Sequence, residues 1–160
     1  MIRFLARIWK SLHLPKGMQL NFMRLLQDQF LVGVTGVIFN EKNEVLLFKH
    51  TYRNQDWGLP GGYVKAKEHP KEGLEREILE ESGITVSADI RYKIRSDRDT
   101  ARLDIVYIGS YIGGEFHASS EVSEGKFFRF EEIPQIMKTD VLLLSKIYAQ
   151  RKRGKFIRPE

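Results

Sequence analysis

Between Gly62 and Ile84 the chain reads GYVKAKEHPKEGLEREILEESGI, and no other stretch constrains the fold as tightly. Pro70 suits the first turn of a helix and Gly83 suits the left-handed residue that ends one, so the spacing predicts a helix over His69 to Ser82. Gly73 inside it costs up to about 1 kcal/mol relative to alanine. Leu74 and Ile78, four apart, form its buried face, read here as lying opposite the charges. Glu77, Glu80 and Glu81 are spaced i, i+3 and i+4, so their carboxylates share one side. Like charges that close destabilise a helix, and a cation between them reverses the sign. Hard oxygen ligands that leave room for water and phosphate oxygens suit Mg²⁺ or Mn²⁺.

The same residues resemble the signature of the Nudix hydrolases, G-x5-E-x7-R-E-U-x-E-E-x-G-U, where U is a bulky apolar residue. Gly62, Glu68, Arg76, Glu77, Ile78, Glu80, Glu81, Gly83 and Ile84 fill every fixed position in register. A plain solvated helix face would not need the Gly-Leu-Pro-Gly-Gly turn that precedes the stretch. Glu72 and Glu75 fall off the pattern and read as solvated acids.

The resemblance implies an α+β fold, an α/β/α sandwich around a mixed sheet, with further helices at both ends of the chain. It also implies attack of water on a diphosphate linkage in a nucleoside diphosphate derivative, with Mg²⁺ (or Mn²⁺) as cofactor. By the family pattern Glu77, Glu80 and Glu81 are metal ligands, joined by the backbone at Gly62, and one glutamate acts as base. Glu68 and Arg76 form an ion pair that fixes the loop against the helix and orients Glu77. The base is either a box glutamate or one on a later loop. In ASSEVSEGKFF the candidates are Glu121 and Glu124, with Glu121 preferred. The chemistry suits these residues: a diphosphate repels a nucleophile until positive charge neutralises it, and positioned charge is most of phosphoryl-transfer catalysis.

Substrate contacts are read more loosely. Arg53, just ahead of the turn, suits a phosphate clamp, and the backbone at Gly61 can approach the substrate closely. Arg95, Arg98 and Arg102 read individually as solvated charges. Trp57 reads as packing the turn rather than stacking on a base.

Around this centre the chain reads as one domain. Residues 1–29 form a helical extension, with Ile2, Leu5, Ile8, Trp9 and Leu12 at helical spacing and a second helix over Met18 to Gln27. That extension reads as cover for a sheet face or a dimer contact, the alternative being a membrane-surface or partner-binding helix. The Nudix-like domain covers 30–150. LVGVTGVIFN and VLLFKH suggest a β-hairpin, with later strands over Ile90–Arg95, Leu103–Ile112 and Lys126–Phe130. EEIPQIM starts a short helix, Val141–Gln150 forms the last one, and 151–160 is a basic tail.

Charge is uneven. Residues 1–27 carry five basic side chains and no acidic one, and residues 146–160 carry six against Glu160. With +5 overall, the middle is acidic, as a metal-loaded site requires. The basic ends leave RNA as a minority partner, and a non-catalytic nucleotide-binding protein remains an alternative. A homodimer is plausible for the family. The absence of cysteine fits a reducing cytoplasm, and no stretch has the length of a membrane span or the clean apolar core of a signal peptide.

Overall fold

The computed structural model describes residues 15–52, 57–97 and 99–152. The chain divides into two units, residues 1–30 and 31–160. In the first, helix α1 (Lys16–Leu26) buries none of its residues. The Gln29 side-chain amide closes its end by donating to the carbonyl oxygens of Arg24 and Gln27, at 2.9 and 3.1 Å. The helix expected over residues 2–12 lies outside the described residues.

The second unit is built on a seven-stranded mixed sheet. Strands β1 (Leu31–Phe39) and β2 (Val45–His50) are almost continuously apolar and buried, as strands covered on both faces must be. Alternate residues serve opposite faces. Val34, Ile38, Leu46 and Phe48 join Leu74 and Ile78 of helix α2 (Pro70–Ser82). Val37, Phe39, Val45 and Leu47 join Leu143, Leu144 and Ile147 of helix α3 (Lys138–Lys152). The sheet therefore lies between two helical layers.

The expected β1–β2 hairpin forms only at its tip. Asn40 closes the turn, its side-chain oxygen accepting from the amides of Lys42 and Glu44, and Phe39 pairs with Val45. Beyond that pair the strands part. Parallel pairing with β6 (Arg102–Gly113) runs the length of β1, and β2 pairs antiparallel with β7 (Val122–Phe128). Into the gap come two short strands, β3 (Trp57–Gly58) against β2 and β4 (Gly61–Tyr63) against β1. Leu59 and Pro60 turn between them, and the Pro60 carbonyl accepts from Gly36 N–H at 2.8 Å. A Cβ on Gly61 would run into the Val34 carbonyl oxygen, so only glycine lets β4 lie this close to β1. This wedge delivers the chain to the start of α2.

Strand β5 (Thr85–Asp97) is far longer than the Ile90–Arg95 segment expected, because register shifts at three places along it break the alternation that sequence reading depends on. β7 starts four residues earlier than expected. The helix expected at EEIPQIM is a single 3₁₀ turn, Phe130–Glu132, since Pro134 holds Ile133 in an extended conformation. α3 starts three residues before Val141 and runs on through Arg151 and Lys152. Tyr148 Oη donates to the Asn43 carbonyl at 3.0 Å, and the Arg151 guanidinium lies 4.2 Å from the Phe39 ring centroid, so this end of α3 is pinned to the β1–β2 turn.

Candidate active site

Helix α2 is capped at both ends. His69 Nδ1 accepts from Lys71 N–H while Glu72 reaches back to His69 N–H at 2.9 Å, and Gly83 adopts a left-handed φ of 74°. Glu72 is thus a cap rather than a solvated acid. Glu75 is not solvated either, since its carboxylate accepts from Ala88 N–H at 2.8 Å and ties the helix to β5.

Glu68 and Arg76 form the expected brace. Arg76 Nε and Nη2 donate to the two Glu68 oxygens at 3.0 and 2.8 Å, and Nη2 also reaches the Tyr63 carbonyl. Arg76 Nη1 bonds Glu77 Oε1 at 2.8 Å and Glu80 Oε2 at 2.9 Å, so one guanidinium holds three carboxylates. Hydrogen bonds from Arg76, then from Lys65 N–H, hold the Glu68 carboxyl at about 2, against an ordinary value of 4.5. Arg76 also lowers Glu80, and the hydrogen bond it donates to Glu68 leads those that raise the guanidinium further above its ordinary range.

A depressed carboxyl binds its proton more weakly in the folded than in the unfolded chain. The brace therefore stabilises the fold fully above about pH 4.5 and loses that contribution as pH falls towards 2. The stability difference between wild type and Glu68→Gln, followed by urea unfolding at a series of pH values, is expected to shrink over that window. A difference that stays constant from neutral pH to pH 2 would contradict the assignment.

The three glutamates expected to act together are not equivalent. Glu81 follows Ile78 by three residues and Leu74 by seven, so it shares their side of the helix instead of opposing it. Glu80 turns away: its side chain is 53% exposed and also meets Lys65 at 3.4 Å. Glu77 and Glu81 line a cleft of about 880 Å³, and Glu80 does not. Gly61, Gly62 and Glu121 line the same cleft. A Cβ on Gly62 would collide with the Glu77 carboxyl, so this glycine lets the backbone lie against that carboxylate. Glu124 sits elsewhere, within β7, bonded to Lys49 and Lys126 at 2.9 and 2.5 Å. Among the described residues no three Asp, Glu or His side chains are gathered as a metal cage. The oxygen-only donor set on the cleft wall nevertheless has the chemistry a hard divalent cation requires.

The cleft also holds a network of paired charges whose arginines read as solvated from the sequence alone. Asp104, buried in β6, accepts from Arg95 Nη2 at 2.6 Å, from Arg102 Nη2 at 3.3 Å and from Thr35 Oγ1 at 3.0 Å. Arg95 Nη1 reaches the buried Asp140 of α3 at 3.3 Å. Burial works against the Arg95 charge, but Asp104 and Asp140 outweigh it and raise its pKa. Arg102 lies 5.0 Å over the Tyr63 ring. The signal in the sequence was Asp104 itself, a lone acid in the apolar run Leu103–Ile108. Trp57, read from the sequence as packing the turn, packs edge-to-face on Phe128 of β7 at 5.0 Å. Arg53 and Arg98 lie outside the described residues.

The sequence pattern of the NUDIX domain matches residues 29–149. The chain belongs to the Nudix family. An ADP-ribose pyrophosphatase of Methanocaldococcus jannaschii is 34% identical over 113 residues, a match covering 66% of this Nudix chain and 65% of that protein. A MutT-like protein of Streptomyces ambofaciens is 29% identical, over 66% of this chain and 68% of its own. A NUDIX hydrolase structure from Nitrosomonas europaea superposes with a TM-score of 0.73 at 23% identity, covering 81% of this chain and 76% of that one, so the two share a fold.

Proposed function

We propose that this Nudix protein is a Mg²⁺-dependent (or Mn²⁺-dependent) hydrolase of the diphosphate linkage in a small nucleoside diphosphate derivative. The observation that carries the reading is the meeting of Glu77, Glu81, Glu121 and the Gly61–Gly62 backbone in one cleft of a size suited to such a substrate. Glu77 and Glu81 would hold the cation, with the Gly62 carbonyl. Glu80 joins them only by leaving Arg76 and Lys65. When bound, the cation neutralises the diphosphate and lowers the pKa of water.

The protein's own part is positional. Arg76 orients Glu77, and Glu68 fixes Arg76. Glu121 accepts the proton of the water whose oxygen bonds to phosphorus as the bridging P–O bond breaks and the leaving phosphate departs. Arg102, and Arg53 ahead of the turn, supply positive charge for the substrate beyond the carboxylates. Glu121→Gln is expected to lower kcat by about 100-fold, while Glu124→Gln leaves kcat close to the wild-type value. The reverse pattern would transfer the base to Glu124.

A panel of nucleoside diphosphate compounds, with ADP-ribose first because of the archaeal relative, tests the reading. Two phosphorylated products from at least one compound, formed with Mg²⁺ and abolished by a chelator, are expected. No turnover of any member would defeat it.

A further inference from the structure

The proposed reaction makes no use of the N-terminal segment, whose chemistry is distinctive. Residues 1–27 hold Arg3, Arg7, Lys10, Lys16 and Arg24 and no acid. Within it α1 places Met18, Phe22, Leu25 and Leu26, spaced i, i+4, i+7 and i+8, on one side, while Lys16, Asn21 and Arg24 lie on the other together with Leu20 and Met23. The apolar side is open, with Met18 56%, Leu25 84% and Leu26 64% exposed. Ahead of α1 the sequence repeats the theme, with Ile2, Leu5, Ile8, Trp9 and Leu12 at helical spacing among Arg3, Arg7 and Lys10.

We propose that this segment docks the protein on an anionic lipid surface. The Met18–Phe22–Leu25–Leu26 side of α1 enters the boundary between headgroups and acyl chains, and the cations meet the negative headgroups. Charge complementarity selects this occupant. A second copy of the segment would bring the same five cations against these five, with no acid on either to offset them. RNA is held by cations interleaved with aromatic platforms, whereas the exposed side of α1 is mainly aliphatic. Among the described residues no helix is long and apolar enough to cross a membrane, so α1 lies on the surface.

The test mixes the full chain with vesicles of phosphatidylcholine alone or of phosphatidylcholine with phosphatidylglycerol, and reads the bound fraction by flotation. Binding is expected only to the anionic vesicles, weakening as salt is raised. Phe22→Ser with Leu25→Ser is expected to lower partitioning at least about tenfold, and Lys16→Gln with Arg24→Gln by about as much. Lys16→Gln with Arg24→Gln should melt as wild type does, since α1 buries no residue. Equal binding to the two vesicle types, or binding to neither, overturns the proposal. So does a stable dimer in lipid-free solution that the Phe22→Ser, Leu25→Ser variant dissociates, or tight retention of triphosphorylated RNA by a chain that ignores vesicles.

Discussion

Glu81→Gln is expected to lower kcat by about 100-fold or more at saturating Mg²⁺, while Glu80→Gln costs no more than about tenfold. The sequence pattern gives the two neighbours equal standing. Helix geometry separates them, because Glu81 shares the Leu74–Ile78 side and so faces the cleft, whereas Glu80 is turned towards Arg76 and Lys65. Removing a carboxylate at the cleft wall deletes a ligand for the cation that would neutralise the diphosphate. Neutralising Glu80 weakens one of the two bonds made by Arg76 Nη1, and Arg76 keeps its bonds to Glu68 and Glu77. Steady-state kinetics with the divalent ion titrated would show the difference, Glu81→Gln needing far more Mg²⁺ for half-activation. Equal losses for the two variants would mean that Glu80 leaves its partners on binding and ligates as fully as Glu81.

The second large effect is expected at Asp104. It is 8% exposed and accepts from Arg95, Arg102 and Thr35. Asp104→Ala leaves two guanidinium groups at the cleft without their shared counter-charge, a loss of about 3 kcal/mol by analogy with broken buried pairs. For a domain of this size that corresponds to a fall in Tm of roughly 10 °C. Asp104→Asn keeps the shape and one acceptor and should lose about half as much. Because Arg102 is placed partly by Asp104, KM should rise more than kcat falls in both variants. Thermal melting together with the KM and kcat split distinguishes this from a general loss of fold, which would reduce the active fraction and leave KM unchanged.

Much of this was legible in the sequence because the box residues are local. Pro70, Gly83 and the Glu68–Arg76 spacing describe one turn and one helix, and local patterns survive folding. The sandwich of one mixed sheet between helices was implied by the resemblance those same residues carry. What failed was long-range. β1 and β2 look like a hairpin in one dimension, yet β1 finds its main partner in β6, and the wedge of β3 and β4 separates the two strands. The Arg95–Asp104–Asp140 network joins two strands and a helix, so its arginines read as solvated until the fold brings the acids to them. Bulges hid half of β5. Glu72 and Glu75, taken for bystanders, bond to backbone N–H groups that sequence spacing only partly reveals.

Metal-assisted attack of water is tested by running a diphosphate substrate that turns over in ¹⁸O-labelled water, with Mg²⁺ and with excess chelator, using wild type and Glu81→Gln side by side. One labelled phosphoryl product is expected from wild type, dependent on Mg²⁺, and almost none from the variant. Turnover that persists unchanged in chelator, or in Glu81→Gln, would contradict metal-assisted attack.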